Sequence, residues 1–242
     1  LAIAKEHHLK VVEDAAHALP TTWRGTLVGQ LQSDVTVFSF YANKTITTGE
    51  GGMAVTHDPA LAQRMRTMRL HGMSRDAFDR FTSKTPAWYY EVVAPGFKYN
   101  MTDVAAAMGV EQLARLPQFV QRRQTLASRY NTQLAPLPLL LPADAPHGDT
   151  HAWHLYVIRL RADAPLGRDE VIQALSDRGI GTSVHYVPLH RHPYWRDRYQ
   201  LTPEMFPQAD AAYQAMISIP LFTAMGDSDQ DRVIAALHEV LG

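Results

Sequence analysis

The sequence predicts an α/β protein: a mostly parallel, doubly wound sheet followed by a smaller α+β domain. Three observations carry this. Short apolar, β-branched runs alternate with helical patterns through residue 70, the order that builds parallel sheets. Residues 136–150 hold Pro136, Pro138, Pro142 and Pro146, so they form a connection. Beyond residue 150 the pattern becomes mixed. The division falls before the helix that precedes this connection, giving domains 1–117 and 118–242.

The elements follow in order. Residues 1–9 read as the end of a helix feeding a short buried strand at 10–13. Residues 21–31 are turn-rich, with Gly25 and Gly29. Residues 34–40 are β-branched and aromatic, hence a strand, and 52–56 make another. Asp58 caps a helix that opens on Pro59 and runs to about residue 69. Residues 72–98 lack periodicity and carry many aromatics, which reads as a long functional loop. Thr102 caps a helix through the small residues 104–110, and a second helix covers 118–134 between Pro117 and Pro136. A strand is expected at 154–160, a helix at 168–178 closed by Gly179, and a strand at 181–186. Residues 187–204 read as loop, 207–216 and 229–241 as helices. No internal repeat appears.

Composition excludes several classes. Apolar content of 46% and charged content of 19% imply a sizeable core. The net charge of -1 gives no nucleic-acid footprint. With no cysteine, disulfides, thiolate zinc sites and cysteine nucleophiles are out. No apolar run approaches the roughly 20 residues that span a bilayer. Twelve histidines suggest metal at first, but His147, His151 and His154 lie in or beside the proline-rich connection. His185, His190 and His192 show no zinc spacing, so no metal is expected. The chain opens without methionine or a basic-then-apolar leader, so the expectation is a cytoplasmic fragment of a longer chain.

Chemistry concentrates around Lys44. It follows the strand 34–40 and precedes Gly49-Glu50-Gly51-Gly52, in a stretch otherwise poor in charge. Thirty residues earlier another apolar run ends in Asp14. A lysine after one strand and an aspartate after another suit pyridoxal phosphate (PLP), whose aldehyde needs an amine and whose ring nitrogen needs a carboxylate. In open α/β sheets, ligands bind beyond the carboxyl ends of the strands. Ser39 offers a hydroxyl to a phosphate, and the glycines are read as permitting close backbone approach to a ligand. The glycine run is no nucleotide-triphosphate loop, because no Gly-Lys-Ser/Thr follows.

The motifs Glu13-Asp14-Ala15-Ala16-His17-Ala18, Phe38-Ser39-Phe40 through Lys44, Thr48-Gly49-Glu50-Gly51-Gly52 and Gly96-Phe97-Lys98-Tyr99-Asn100-Met101-Thr102-Asp103 resemble the DegT/DnrJ/EryC1/StrS family. The likeness continues through His151-Ala152-Trp153-His154-Leu155 and Gly179-Ile180-Gly181-Thr182-Ser183-Val184-His185-Tyr186. These proteins are PLP-dependent nucleotide-sugar aminotransferases of the aspartate-aminotransferase-like, type I fold. The resemblance is closest to the branch that makes UDP-4-amino-4-deoxy-L-arabinose for lipid A modification. It implies that residues 1–117 are the C-terminal part of the large cofactor domain and 118–242 the small domain with its connecting helix.

By this resemblance Lys44 is the Schiff-base lysine and Asp14 the partner of the pyridinium nitrogen. His17 lies near the phenolic oxygen and Ser39 binds the phosphate. Asn100 reaches the phosphate of the neighbouring subunit, which implies a homodimer with a shared site; it also reads as a helix-entry turn. His185 and Tyr186 resemble a substrate-side pair, with ordinary strand-end packing as the alternative. Trp88, Tyr89 and Tyr90 either stack on a base or pin a loop, and the loop is favoured. The implied reaction moves an amino group from L-glutamate to a UDP-4-keto sugar. A PLP-dependent sugar dehydratase is the rival enzyme, although the best-known type replaces the lysine with histidine. A non-catalytic module of the same fold is the rival of another class. Family members extend beyond this chain's start with a phosphate-binding helix N-terminus, so little activity is expected of these 242 residues alone.

Overall fold

The computed structural model describes residues 1–74 and 89–242, in two compact units. The first comprises residues 1–116 with 148–150, the second residues 117–147 with 151–242.

The first unit is built on a three-stranded sheet in the order β1–β4–β5 (β1 Val12–Asp14, β4 Val35–Ser39, β5 Gly52–Val55). β1 runs parallel to β4, with Asp14 opposite Val37. β5 runs antiparallel to β4, with Gly52 opposite Ser39. The parallel expectation therefore holds for β1–β4 and not for β5. The 40–51 connection contains no helix, and a parallel return needs a crossover of a dozen or more residues, usually helical.

Alternation sorts the side chains. Thr36 and Phe38 are buried on one face. There Glu13 Oε2 accepts from the hydroxyls of Ser33 (2.8 Å) and Thr36 (2.6 Å). Asp14, Val37 and Ser39 share the other face, where Val12 and Val37 are exposed.

The turn-rich stretch after β1 is a hairpin of β2 (Thr22–Trp23) and β3 (Thr26–Leu27). Asp149 fastens it, accepting from the Thr22 hydroxyl and from the N–H groups of Arg24 and Gly25. Helix α1 is Ala2–Glu6, and α2 (Pro59–Met68) is capped by Asp58 as its sequence predicts. Helix α3 (Asp103–Ala114) is capped by Thr102. Isolated bridges Leu70 to Lys98 and Met73 to Val92 pair the described ends of the 72–98 segment. Trp88 and the rest of that segment's middle lie outside the described residues; Tyr89 and Tyr90 are exposed.

The second unit packs helices on an antiparallel sheet ordered β6–β7–β8 (β6 Leu139–Leu140, β7 Tyr156–Leu160, β8 Met216–Ile219). Tyr130 of α4 (Leu116–Leu134), Tyr156, Ile158, Leu175, Ile217 and Leu237 have no solvent exposure. Helix α5 (Arg168–Asp177) begins with Glu170 accepting from the Gly167 N–H.

Several expectations change here. β7 starts at 156 and not 154, because the carbonyls of Trp153 and His154 accept from the buried Arg123 guanidinium. The 207–216 helix is α7 (Pro207–Ala215), and Met216 already begins β8. The expected strand 181–186 reduces to one bridge, Ser183 to Ser218. Within 187–204 lie 3₁₀ turns at Leu189–Arg191 and Pro203–Met205, with α6 (Pro193–Tyr199) between them and Pro193 in its first turn. The last helix, α8, is Asp227–Leu241. Among the described residues no helix is long and apolar enough to cross a membrane.

Candidate active site

The site grows from the ends of β1 and β4. Asp14 is the last residue of β1, and its Oδ1 accepts from the Ala16 N–H at 3.0 Å. The next residue's N–H, that of Ala15, donates to the Val37 carbonyl at 2.8 Å. Asp14 is thus fixed from both sides on an exposed position of the sheet face. His17 is exposed in the turn that follows, closed by Ala18 N–H to Ala15 C=O. Ser39 is the last residue of β4, and its hydroxyl oxygen accepts from the Tyr41 N–H at 3.3 Å.

Lys44 lies in the loop between β4 and β5, half-buried. Burial lowers its proton affinity below the ordinary lysine value, and the negative charge of Asp14 opposes this. The structure therefore brings Asp14 and Lys44 within electrostatic reach. Desolvation wins, because it disfavours the ammonium more than one exposed carboxylate favours it.

The loop holding Lys44 is tightly closed. The Phe40 carbonyl accepts from the Thr48 N–H (3.0 Å) and the Thr47 hydroxyl (3.2 Å), and the Phe40 N–H donates to the Gly51 carbonyl. Gln112 of α3 accepts from the Thr47 N–H at 3.3 Å. Neither the Thr47–Thr48 closure nor Gln112 was anticipated; no local pattern marks a glutamine 65 residues away. Two of the glycines also have a structural role. A Cβ at Gly51 (φ +149°) would sit 2.5 Å from Thr48 Oγ1, and one at Gly52 2.6 Å from the Phe38 carbonyl oxygen. Their lack of a side chain serves the chain's own packing.

Asn100 is half-buried just ahead of α3. Its Oδ1 accepts from Lys98, and its Nδ2 donates to the Met101 carbonyl at 3.3 Å. The helix-entry reading thus describes its bonds within this chain. His185 and Tyr186 belong to the second unit. Their rings meet edge to face at 4.7 Å, and Tyr186 is 62% exposed. His185 Nδ1 lies 2.8 Å from the hydroxyl of Ser218, a buried residue of β8 absent from the sequence expectations. β8 begins at the last residue of an expected helix and runs on into residues given no element, so nothing pointed to Ser218. His185 and Ser218 line a cavity of ≈ 250 Å³ together with His154, Thr182 and Ser183.

Residues 1–238 match the model of the DegT/DnrJ/EryC1/StrS aminotransferase family. The spore coat polysaccharide biosynthesis protein SpsC of Bacillus subtilis is 44% identical over 243 residues, covering 100% of this chain and 62% of SpsC. The chain therefore spans under two thirds of that relative's length. Among solved structures, PseC of Helicobacter pylori, an aminotransferase involved in pseudoaminic acid biosynthesis, superimposes with a TM-score of 0.87 at 27% identity, covering 99% of this chain and 62% of PseC. The PLP-form of Spr1654 from Streptococcus pneumoniae, described as a sugar aminotransferase, gives a TM-score of 0.83 at 31% identity, covering 97% of this chain and 59% of that protein.

Proposed function

Because the chain belongs to the DegT/DnrJ/EryC1/StrS aminotransferase family, we propose that the whole protein transfers an amino group from L-glutamate to a keto nucleotide sugar, with PLP as cofactor. One observation carries this reading: Lys44 is half-buried, with its proton affinity lowered, within electrostatic reach of the carboxylate of Asp14. The residues fit the cofactor. A carboxylate and a hydroxyl lie at the ends of two adjacent strands, where Asp14 and Ser39 share one face, and the amine lies on the loop that follows the second strand. Spr1654 has been solved in a PLP-form, which supports the same cofactor here.

When bound, PLP supplies the electron sink for carbanion chemistry. Lys44 Nζ would anchor it, would take a proton from the donor's α-carbon and, in the second half-reaction, would deliver one to the sugar carbon, general acid–base work worth roughly 10²–10⁴ in rate. Its lowered proton affinity raises the share of neutral amine available for both tasks. Asp14 would keep a proton on the ring nitrogen. His17 would lie beside the ring, Ser39 would hold the phosphate, and Asn100 would reach the phosphate held by a second copy in a homodimer. His185 and Tyr186 would serve the sugar nucleotide. The sugar we propose is a UDP-4-keto sugar, made and used in the cytoplasm for a lipopolysaccharide such as lipid A.

A panel of keto-sugar nucleotides with glutamate as donor tests this on the whole protein. Amino sugar and 2-oxoglutarate forming in equal amounts is the expected result. A keto-deoxy product formed without glutamate would instead identify a dehydratase, and no turnover of any sugar would overturn the proposal.

A further inference from the structure

We propose that Ser218 is a positioning residue that acts on the sugar substrate through His185. This rests on the substrate-side reading of His185 given above. The Ser218 backbone is fixed first: its N–H donates to the Ser183 carbonyl at 2.7 Å, and its carbonyl accepts from the Ser183 N–H at 3.1 Å. Ser183 lies two residues before His185 on the same length of chain. One strand bridge therefore ties β8 to the segment that carries His185.

The side chain is fixed next. Ser218 is only 6% exposed, and its Oγ lies 2.8 Å from His185 Nδ1. Tyr186 bounds the imidazole by its edge-on ring. A hydrogen bond between this hydroxyl and Nδ1 holds the ring's rotation, so it decides where Nε2 points, and the hydroxyl serves either tautomer because it can donate or accept. Both Ser218 and His185 line the same ≈ 250 Å³ cavity, which places the pair where a polar ligand group has access.

The test is a double-mutant cycle in the whole holoenzyme, with donor and acceptor half-reactions measured separately. Ser218→Ala is expected to lower kcat/KM for the sugar about tenfold, the weight of one hydrogen bond, and to leave the glutamate half-reaction unchanged. Ser218→Thr, which keeps the hydroxyl, restores the sugar half-reaction. In a His185→Ala background, Ser218→Ala has no further effect. An equal cost of Ser218→Ala in both backgrounds, or an equal loss in the glutamate half-reaction, overturns the proposal. Histidine NMR gives a second readout that needs no turnover. Ser218→Ala must shift the His185 Nδ1 resonance, which reports the bond directly, and an unchanged resonance overturns the inference. Failure of the wild-type protein to aminate any sugar is a different result, which defeats the proposed function.

Discussion

Asp14 and Lys44, thirty residues apart in sequence, act on one another across the ends of adjoining structure: the carboxylate closing β1 raises the proton affinity that burial takes from the amine. Asp14→Asn removes that opposition. The Lys44 amine then loses its proton at lower pH than in the wild type, with burial acting alone. Lysine-selective modification rates against pH check this; an unchanged profile contradicts it.

Lys44 also makes stability depend on pH in a defined direction. Its folded value lies below 10.5, so the unfolded chain binds more protons between the two values. Stability therefore rises with pH across that window, and the charged amine is a cost below it. Lys44→Met removes the cost. The variant is expected to be more stable than wild type near neutral pH, with the gap closing as pH approaches 10.5. Urea midpoints across that range measure the gap.

Asp210 behaves oppositely. The Arg191 guanidinium, donating at 2.6 Å, holds its carboxyl at about 2, against 3.8 ordinarily. His190, buried and stacked on Phe206, bonds to the same oxygen. The stability from this pair is present above pH 3.8 and is lost as pH falls through about 2. Asp210→Asn should flatten that acid limb of the denaturation curve, and a limb of undiminished steepness would refute the assignment.

Arg123 is 5% exposed and donates to the carbonyls of Trp153, His154 and Leu221. Arg123→Ala leaves those buried acceptors without their donor and opens space in the core. The expected loss is about 3 kcal/mol, measured by denaturant unfolding.

Gly51→Ala meets Thr48 Oγ1 at 2.5 Å and Met101 Cε at 2.8 Å, at a φ of +149°. The loop that holds Lys44 must shift. A destabilisation of about 1–3 kcal/mol is expected, with weaker cofactor binding by the whole protein in a direct titration. Wild-type affinity would show that the loop does not depend on this glycine.

What was legible in the sequence was local. Asp58 before Pro59, and Thr102 before a small-residue run, announce their helices because a cap acts within one turn. The Asp14 and Lys44 motifs were readable because each sits at the end of its own β-rich run. β8 was not readable: Met216–Ile219 is a strand only because β7 and Ser183 pair with it across the fold. The start of β7 was misplaced for a similar reason, since Arg123 takes the carbonyls of Trp153 and His154 from 30 or more residues away. Gln112 and Ser218 escaped notice because their partners, Thr47 and His185, are remote in sequence.

The central claim is that Lys44 is the amine that carries the cofactor. The direct measurement is borohydride reduction of the PLP-loaded whole protein, followed by peptide mapping. The account predicts the pyridoxyl mass on the peptide containing Asn43-Lys44, and no such mass, with negligible turnover, in Lys44→Ala. A label on another lysine, or unchanged turnover in Lys44→Ala, would contradict it.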